Sequence, residues 1–158
     1  MSSVDSLKTF IEYHLDMTRR VWDSIDQITE EQFLVDDAYS RGSIRNLMVH
    51  IASTDRRWLA GLQRGPDVGH LKFEDYATRA AARELFETVA NEFSAYIASV
   101  TQEELDQKPP AFTHPSSAIL LHLVNHGTDH RSTVLQRLTE FGAPTFDQDY
   151  IIWLWSRK

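Results

Sequence analysis

The sequence predicts an all-α protein: an antiparallel four-helix bundle with short extra helices and a docked C-terminal segment, in one domain over residues 1–158. Three observations lead there. Apolar residues recur every three to four positions through four long segments, which is the period of a helix with one buried face. Nowhere does the chain alternate apolar and polar residues as a half-buried strand would. Glycine and proline gather between the periodic segments, and two helical hairpins account for the length.

Helix one runs from about Ser3 to Ile28, on a stripe of Leu7, Ile11, His14, Val21 and Ile25 with Phe10 and Met17 beside it. Ser43 reads as the N-cap of helix two, which continues through Gly61 with Leu47, Met48, Ile51, Trp58, Leu59 and Leu62. Arg64 to Tyr76 holds two glycines and a proline and reads as an irregular connection, long enough to cross the end of a bundle. Helix three spans about Thr78 to Val100, with Leu85, Phe86, Val89, Phe93, Tyr96 and Ile97 as its apolar face. After Pro109, Pro110 and Pro115, Ser116 or Ser117 can cap helix four, which ends near Gly142 and Pro144. The tail from Asp149 to Lys158 is rich in Ile, Trp and Leu and is expected to dock. Thr29-Glu-Glu-Gln32 and Thr101-Gln-Glu-Glu104 are capping boxes, each just after a long helix. The shift of 72 residues that superposes them (29 to 101) also carries His50 onto His122, a faint internal echo of one hairpin in the other.

Composition narrows the function. The formal charge of −7 repels phosphate backbones and anionic membranes, so neither nucleic acid nor membrane is an expected partner. With no cysteine there is no disulfide, no thiolate metal site and no cysteine nucleophile. The N-terminal residues do not resemble a signal peptide, and no apolar run is long enough to span a bilayer; a cytoplasmic location is the expectation.

Chemistry concentrates in helix four, where His122, His126 and His130 follow one another at a spacing of four. Neighbouring members lie one turn apart on nearly one face, so a pair can aim two imidazoles at one metal ion. The outer two are separated by roughly 12 Å of rise, so one metal takes either His122 with His126 or His126 with His130. Another helix must supply a further ligand. His50, amid the apolar residues of helix two, is the candidate, and three imidazoles would leave positions open for water or substrate. Nitrogen donors suit zinc, nickel, iron or copper. The chain has no His-Glu-x-x-His, no Glu-x-x-His, no Gly-x-Ser-x-Gly and no phosphate-binding glycine loop.

The runs Ser43-Ile-Arg-Asn-Leu-Met-Val-His50-Ile, Arg57-Trp58-Leu59 and Leu121-His122-Leu-Val-Asn125-His126-Gly-Thr-Asp129-His130-Arg131 resemble the DinB/YfiT-like proteins, as does the closing Asp149-Tyr-Ile-Ile-Trp-Leu. The resemblance covers nearly the whole chain, and its most specific element is Asn-His-x-x-x-His-Arg downstream of a mid-helix histidine. It implies a four-helix bundle, often homodimeric, with a divalent metal (zinc, nickel or iron) held by His50, His126 and His130. It also implies, for some members, transfer or isomerisation chemistry with bacillithiol, mycothiol or glutathione as thiol co-substrate. Where the family commonly has Gly-Gln after the His-Arg pair, this chain has Ser132-Thr133.

The remaining polar candidates have humbler expectations. His122 is expected to be a satisfied polar group at a helix interface, with a pocket role one turn above the site as the alternative. His14, central in its apolar stripe, should point inward; it and Asp129 are the weak catalytic candidates. His70 and His114 fall in loops and should be solvated, and Trp58 should lie near the pocket. Leu120, Val124, Leu135 and Leu138 form a second apolar face on helix four, to be covered by a second subunit, another helix of the chain or the tail around Trp153 and Trp155; a homodimer is the expected cover. Two function classes follow: a metal-dependent thiol transferase or isomerase acting on a small electrophilic substrate, or a non-catalytic, stress-associated metal-binding module with a protein partner.

Overall fold

The computed structural model describes residues 3–157, and among them there is no strand. Four long helices, α1 (Val4–Ile25), α3 (Ile44–Leu62), α4 (Arg79–Ser99) and α6 (Ser116–Glu140), form the bundle, accompanied by three short ones, α2 (Glu30–Leu34), α5 (Gln102–Asp106) and α7 (Tyr150–Ser156). The two capping boxes start the short helices α2 and α5 rather than closing the long ones: each threonine side chain takes the backbone N–H three residues on, and Gln32 or Glu104 reaches back. Ser3, Ser43 and Thr78 cap α1, α3 and α4 in the same manner. The expected serine cap of α6 is absent. Pro115 occupies the cap position, and Ser116 is already inside the helix, its N–H and hydroxyl both turned back to the carbonyl of Gln107.

α1 and α3 each pack against α4 and α6, so the four helices form a ring with α1 and α3 on one diagonal. Side-chain pairs fix the directions. Lys8 meets Ala98, Arg19 meets Glu87 and Asp23 meets Arg83, so α1 and α4 are antiparallel. His50 meets His126 and Trp58 meets His122 one turn earlier on α6, so α3 and α6 are antiparallel as well. The other two neighbouring pairs run parallel. The cause is the connection after α3, which returns along that helix instead of crossing the end of the bundle: Arg57 pairs with Asp67, Arg56 reaches the carbonyl of Val68, and Leu71 N–H donates to Ser53 Oγ. A 3-10 turn at Phe73–Asp75 continues the segment toward α4.

The interior holds Leu7, Ile11, Met17, Trp22, Phe33, Ile51, Phe93, Leu123 and Val134, each 2% exposed or less. Burial of this apolar stripe, at roughly 25 cal/mol per Å², is the main force holding the helices together. α7 docks through Trp153, whose ring packs edge-on against Tyr13 and whose indole N–H donates to Asp16 Oδ2 at 2.7 Å. Trp155 does not share in this and is 60% exposed. Of the three covers open to the second apolar face of α6, the structure supplies the helices of the same chain: Leu120, Val124, Leu135 and Leu138 are all buried within it. No helix among the described residues is long and apolar enough to cross a membrane.

Candidate metal centre

α3 places His50 and α6 places His126 and His130 so that their Nε2 atoms converge: 3.0 Å from His50 to His126 and 3.1 Å from His130 to His126. With metal–nitrogen bonds of about 2.0–2.1 Å, two ligands of a tetrahedral ion stand roughly 3.3 Å apart, so the cluster is close to the spacing that an ion requires. His50 and His130 are buried and His126 is half-buried. The donor set therefore fits a divalent ion, and among the described residues these three form the group able to hold one.

Electrostatics favour neutral ligands. Burial pushes His50 down to about 3, helped by the Arg41 charge and by the neighbouring histidines. Burial likewise lowers His126 to about 4, with His130 adding to the effect and the Asp55 carboxylate opposing it. His130 is lowered by burial too, with Asp129 opposing. Near neutral pH all three present lone pairs, the form a metal binds.

Behind the triad lies a buried polar chain that links three helices. Arg131 of α6 donates from Nη1 to His14 Nδ1 at 2.9 Å, and His14 Nε2 lies 2.9 Å from Asp55 Oδ2 on α3. A guanidinium can only donate, so His14 Nδ1 accepts, its proton sits on Nε2, and Asp55 receives it. Arg131 is fully buried, which pulls its guanidinium down to about 10, and it is further held by Thr18, Thr128 and Gln148. α6 can come this close to α1 only at a glycine: a Cβ on Gly127 would stand 2.3 Å from His14 Cε1 and 2.5 Å from its Nδ1.

His14 points inward as expected; it has no accessible surface, and both its ring nitrogens are engaged in the buried brace. Asp129 is exposed, and its charge opposes the lowering of His130. His122 is exposed rather than held in a helix interface; its ring stands one turn above the site, 5.2 Å from Trp58 and 5.9 Å from His126. His114 is exposed as expected. His70 is also exposed, yet its ring centroid is 6.2 Å from that of His50 and its Nε2 is 3.0 Å from Arg57 Nη1. The proximity follows from the connection after α3 doubling back along that helix, which no local sequence signal marks.

Toward the C-terminal end of α3 opens a cleft of about 260 Å³ lined by Arg57, Trp58, Gly61, Asp67 and Phe112 among others. None of the three histidines lines it; its Trp58 packs near His122 and its Arg57 meets His70, and those two rings in turn stand 5.9 Å from His126 and 6.2 Å from His50. Trp58 stacks on Phe112, and Phe112 in turn covers Gly61, where a Cβ would fall 2.4 Å from its ring. The Arg57–Asp67 pair is bidentate, and its hydrogen bonds hold the Asp67 carboxyl well below the usual range.

Asp55, Arg131 and Gly127 had no assigned role from the sequence. The signal for the first two was present, because each interrupts an otherwise apolar stripe: Leu47, Ile51, Asp55, Leu59 on α3 and Val124, Gly127, Arg131, Leu135 on α6.

Protein DinB of Bacillus subtilis (strain 168) is 24% identical to this chain over 159 residues, covering 93% of the chain and 92% of that protein. The DinB family as a whole matches residues 1–157. With an all-helical bundle, a clustered histidine triad and a family match across nearly its entire length, this chain belongs to the DinB family.

Proposed function

We propose that the chain binds one divalent ion through His50, His126 and His130 and uses it to activate a low-molecular-weight thiol for transfer to, or isomerisation of, a small electrophilic molecule. The convergence of three neutral imidazole Nε2 atoms carries this reading, and a solvent-connected cleft reached from them past His122 and Trp58 supports it. Three protein ligands are the number that leaves a coordination position free, whereas a structural ion is enclosed by four. A bound ion would supply the charge that keeps a thiol in its thiolate form near neutral pH.

The chain's own residues provide the rest. Burial keeps the three ligands unprotonated, Trp58 and Phe112 offer an apolar wall for a carbon skeleton, and Arg57 and Asp67 line the polar side. A cleft large enough for a small molecule on the same face of the bundle favours this chemistry over a purely structural metal module with a protein partner, which would have no use for it.

Elemental analysis and zinc or nickel titration of the wild type and of His50→Ala, His126→Ala and His130→Ala provide the test. The wild type should bind one equivalent and each variant should lose it; three variants that keep stoichiometric metal at unchanged affinity would overturn the assignment. A screen of bacillithiol, mycothiol and glutathione against electrophilic substrates then tests the chemistry. Thiol consumption that requires both metal and the triad is expected, and metal binding without any turnover would favour the non-catalytic module.

A further inference from the structure

Two buried polar atoms, Nδ1 of the ligand His126 and Oδ1 of Asp55, have no hydrogen-bond partner among the described residues. They are complementary in chemistry. If an ion takes Nε2 of His126, the imidazole proton must reside on Nδ1, and a buried N–H without an acceptor is destabilising. Asp55 is 2% exposed, and its other oxygen, Oδ2, is already committed to His14. Its Oδ1 is a buried acceptor with nothing to accept, on the helix that also carries His50. The Asp55 field already reaches His126.

We propose that Asp55 is the positioning residue of the metal centre: its Oδ1 accepts the Nδ1–H of His126, directly or through one water, while Oδ2 is anchored by the His14–Arg131 brace. The inference rests on the metal reading of the triad. The brace explains why this carboxylate can be aimed. Gly127 and Arg131, the residues immediately after His126 and His130, both contact His14, so the rotation of α6 that turns its ligands toward α3 is set by the contacts of those next residues with α1. Asp55 closes the loop from α1 back to α3. Outer partners of this kind fix the tautomer and orientation of a ligating histidine and strengthen it as a donor.

Asp55→Asn discriminates this role from mere packing. Arg131 still donates to His14 Nδ1, so His14 keeps its proton on Nε2 and the amide oxygen must face it. The amide NH2 is then left toward His126, where it favours a bare Nδ1 and a proton on Nε2, the tautomer that cannot bind metal.

Zinc affinity by competition titration, apo-protein unfolding and 15N-histidine NMR are measured together on wild type and variant. The expected result is a zinc affinity lowered by about 10- to 100-fold in Asp55→Asn. Zinc-loaded wild type should show a His126 Nδ1–H that is shifted downfield and protected from exchange. The NMR arm uses wild type alone, so it decides the matter even if the variant does not fold. Asp55→Asn binding zinc as tightly as wild type, or a freely exchanging His126 Nδ1–H in the loaded wild type, overturns the proposal while leaving the triad assignment intact. Wild type that binds no zinc removes the metal reading itself, and this one with it.

Discussion

Gly127→Ala is the sharpest test of the buried brace, because it adds one methyl group at the glycine where a Cβ would have the least room. The new Cβ would lie 2.3 Å from His14 Cε1, 2.5 Å from His14 Nδ1 and 2.9 Å from Arg131 Nη1. None of these atoms can yield easily: the imidazole is held from both nitrogens, and Arg131 is fully buried with several partners. Overpacking a rigid core costs about 1–3 kcal/mol, and losing the charge-assisted Arg131–His14 bond costs about 1.5–3 kcal/mol more. Replacing glycine with alanine inside a helix returns about 1 kcal/mol. The net expectation is a loss of about 1.5–5 kcal/mol, which for a chain of this size lowers Tm by roughly 3–20 °C. Urea and thermal unfolding of the apo-protein measure it, with no metal needed. A Gly127→Ala protein as stable as the parent, or more so, would mean that α6 and α1 are not in contact at His14 and would refute the geometry from which the brace was derived.

Acid should destabilise the metal-free protein. His50 and His126 have folded pKa values of about 3 and about 4, below the ordinary 6.5. The stability they contribute is therefore full above about pH 6.5 and is lost as pH falls toward the folded values, by at most ~1.4 kcal/mol per pH unit for each group. Chemical denaturation from pH 7.5 to 4 checks this, and the slope should flatten in a His50→Ala, His126→Ala double variant. Removing the metal with a chelator should lower Tm without unfolding the protein, since the apolar core does not depend on the ion; an unfolded apo-protein would make the site structural. Trp153→Phe keeps the ring packing of α7 but removes the indole donor to Asp16, with an expected cost of about 1–2 kcal/mol in urea unfolding.

The sequence by itself determined the helices and the ligand-bearing faces. A 3.6-residue apolar period is a local property, and residues such as Leu7, Ile11 and Val21 had to share one buried side whatever their partners. The same rule makes His126 and His130 neighbours one turn apart, and it places His14, Asp55 and Arg131 on apolar stripes, where all three are buried. What local period cannot encode is which helix lies beside which, and in what direction. Only the tertiary structure decided that the connection after α3 doubles back along it, because the pairing of Asp67 with Arg57 and of Leu71 with Ser53 joins residues 10 and 18 positions apart in the chain. That return makes α3 and α4 parallel, brings His70 beside His50 and gives the cleft its polar wall. The cover of the second α6 face was equally out of reach, since an apolar stripe states that it will be buried and not by what; Leu120, Val124, Leu135 and Leu138 found their partners within the same chain.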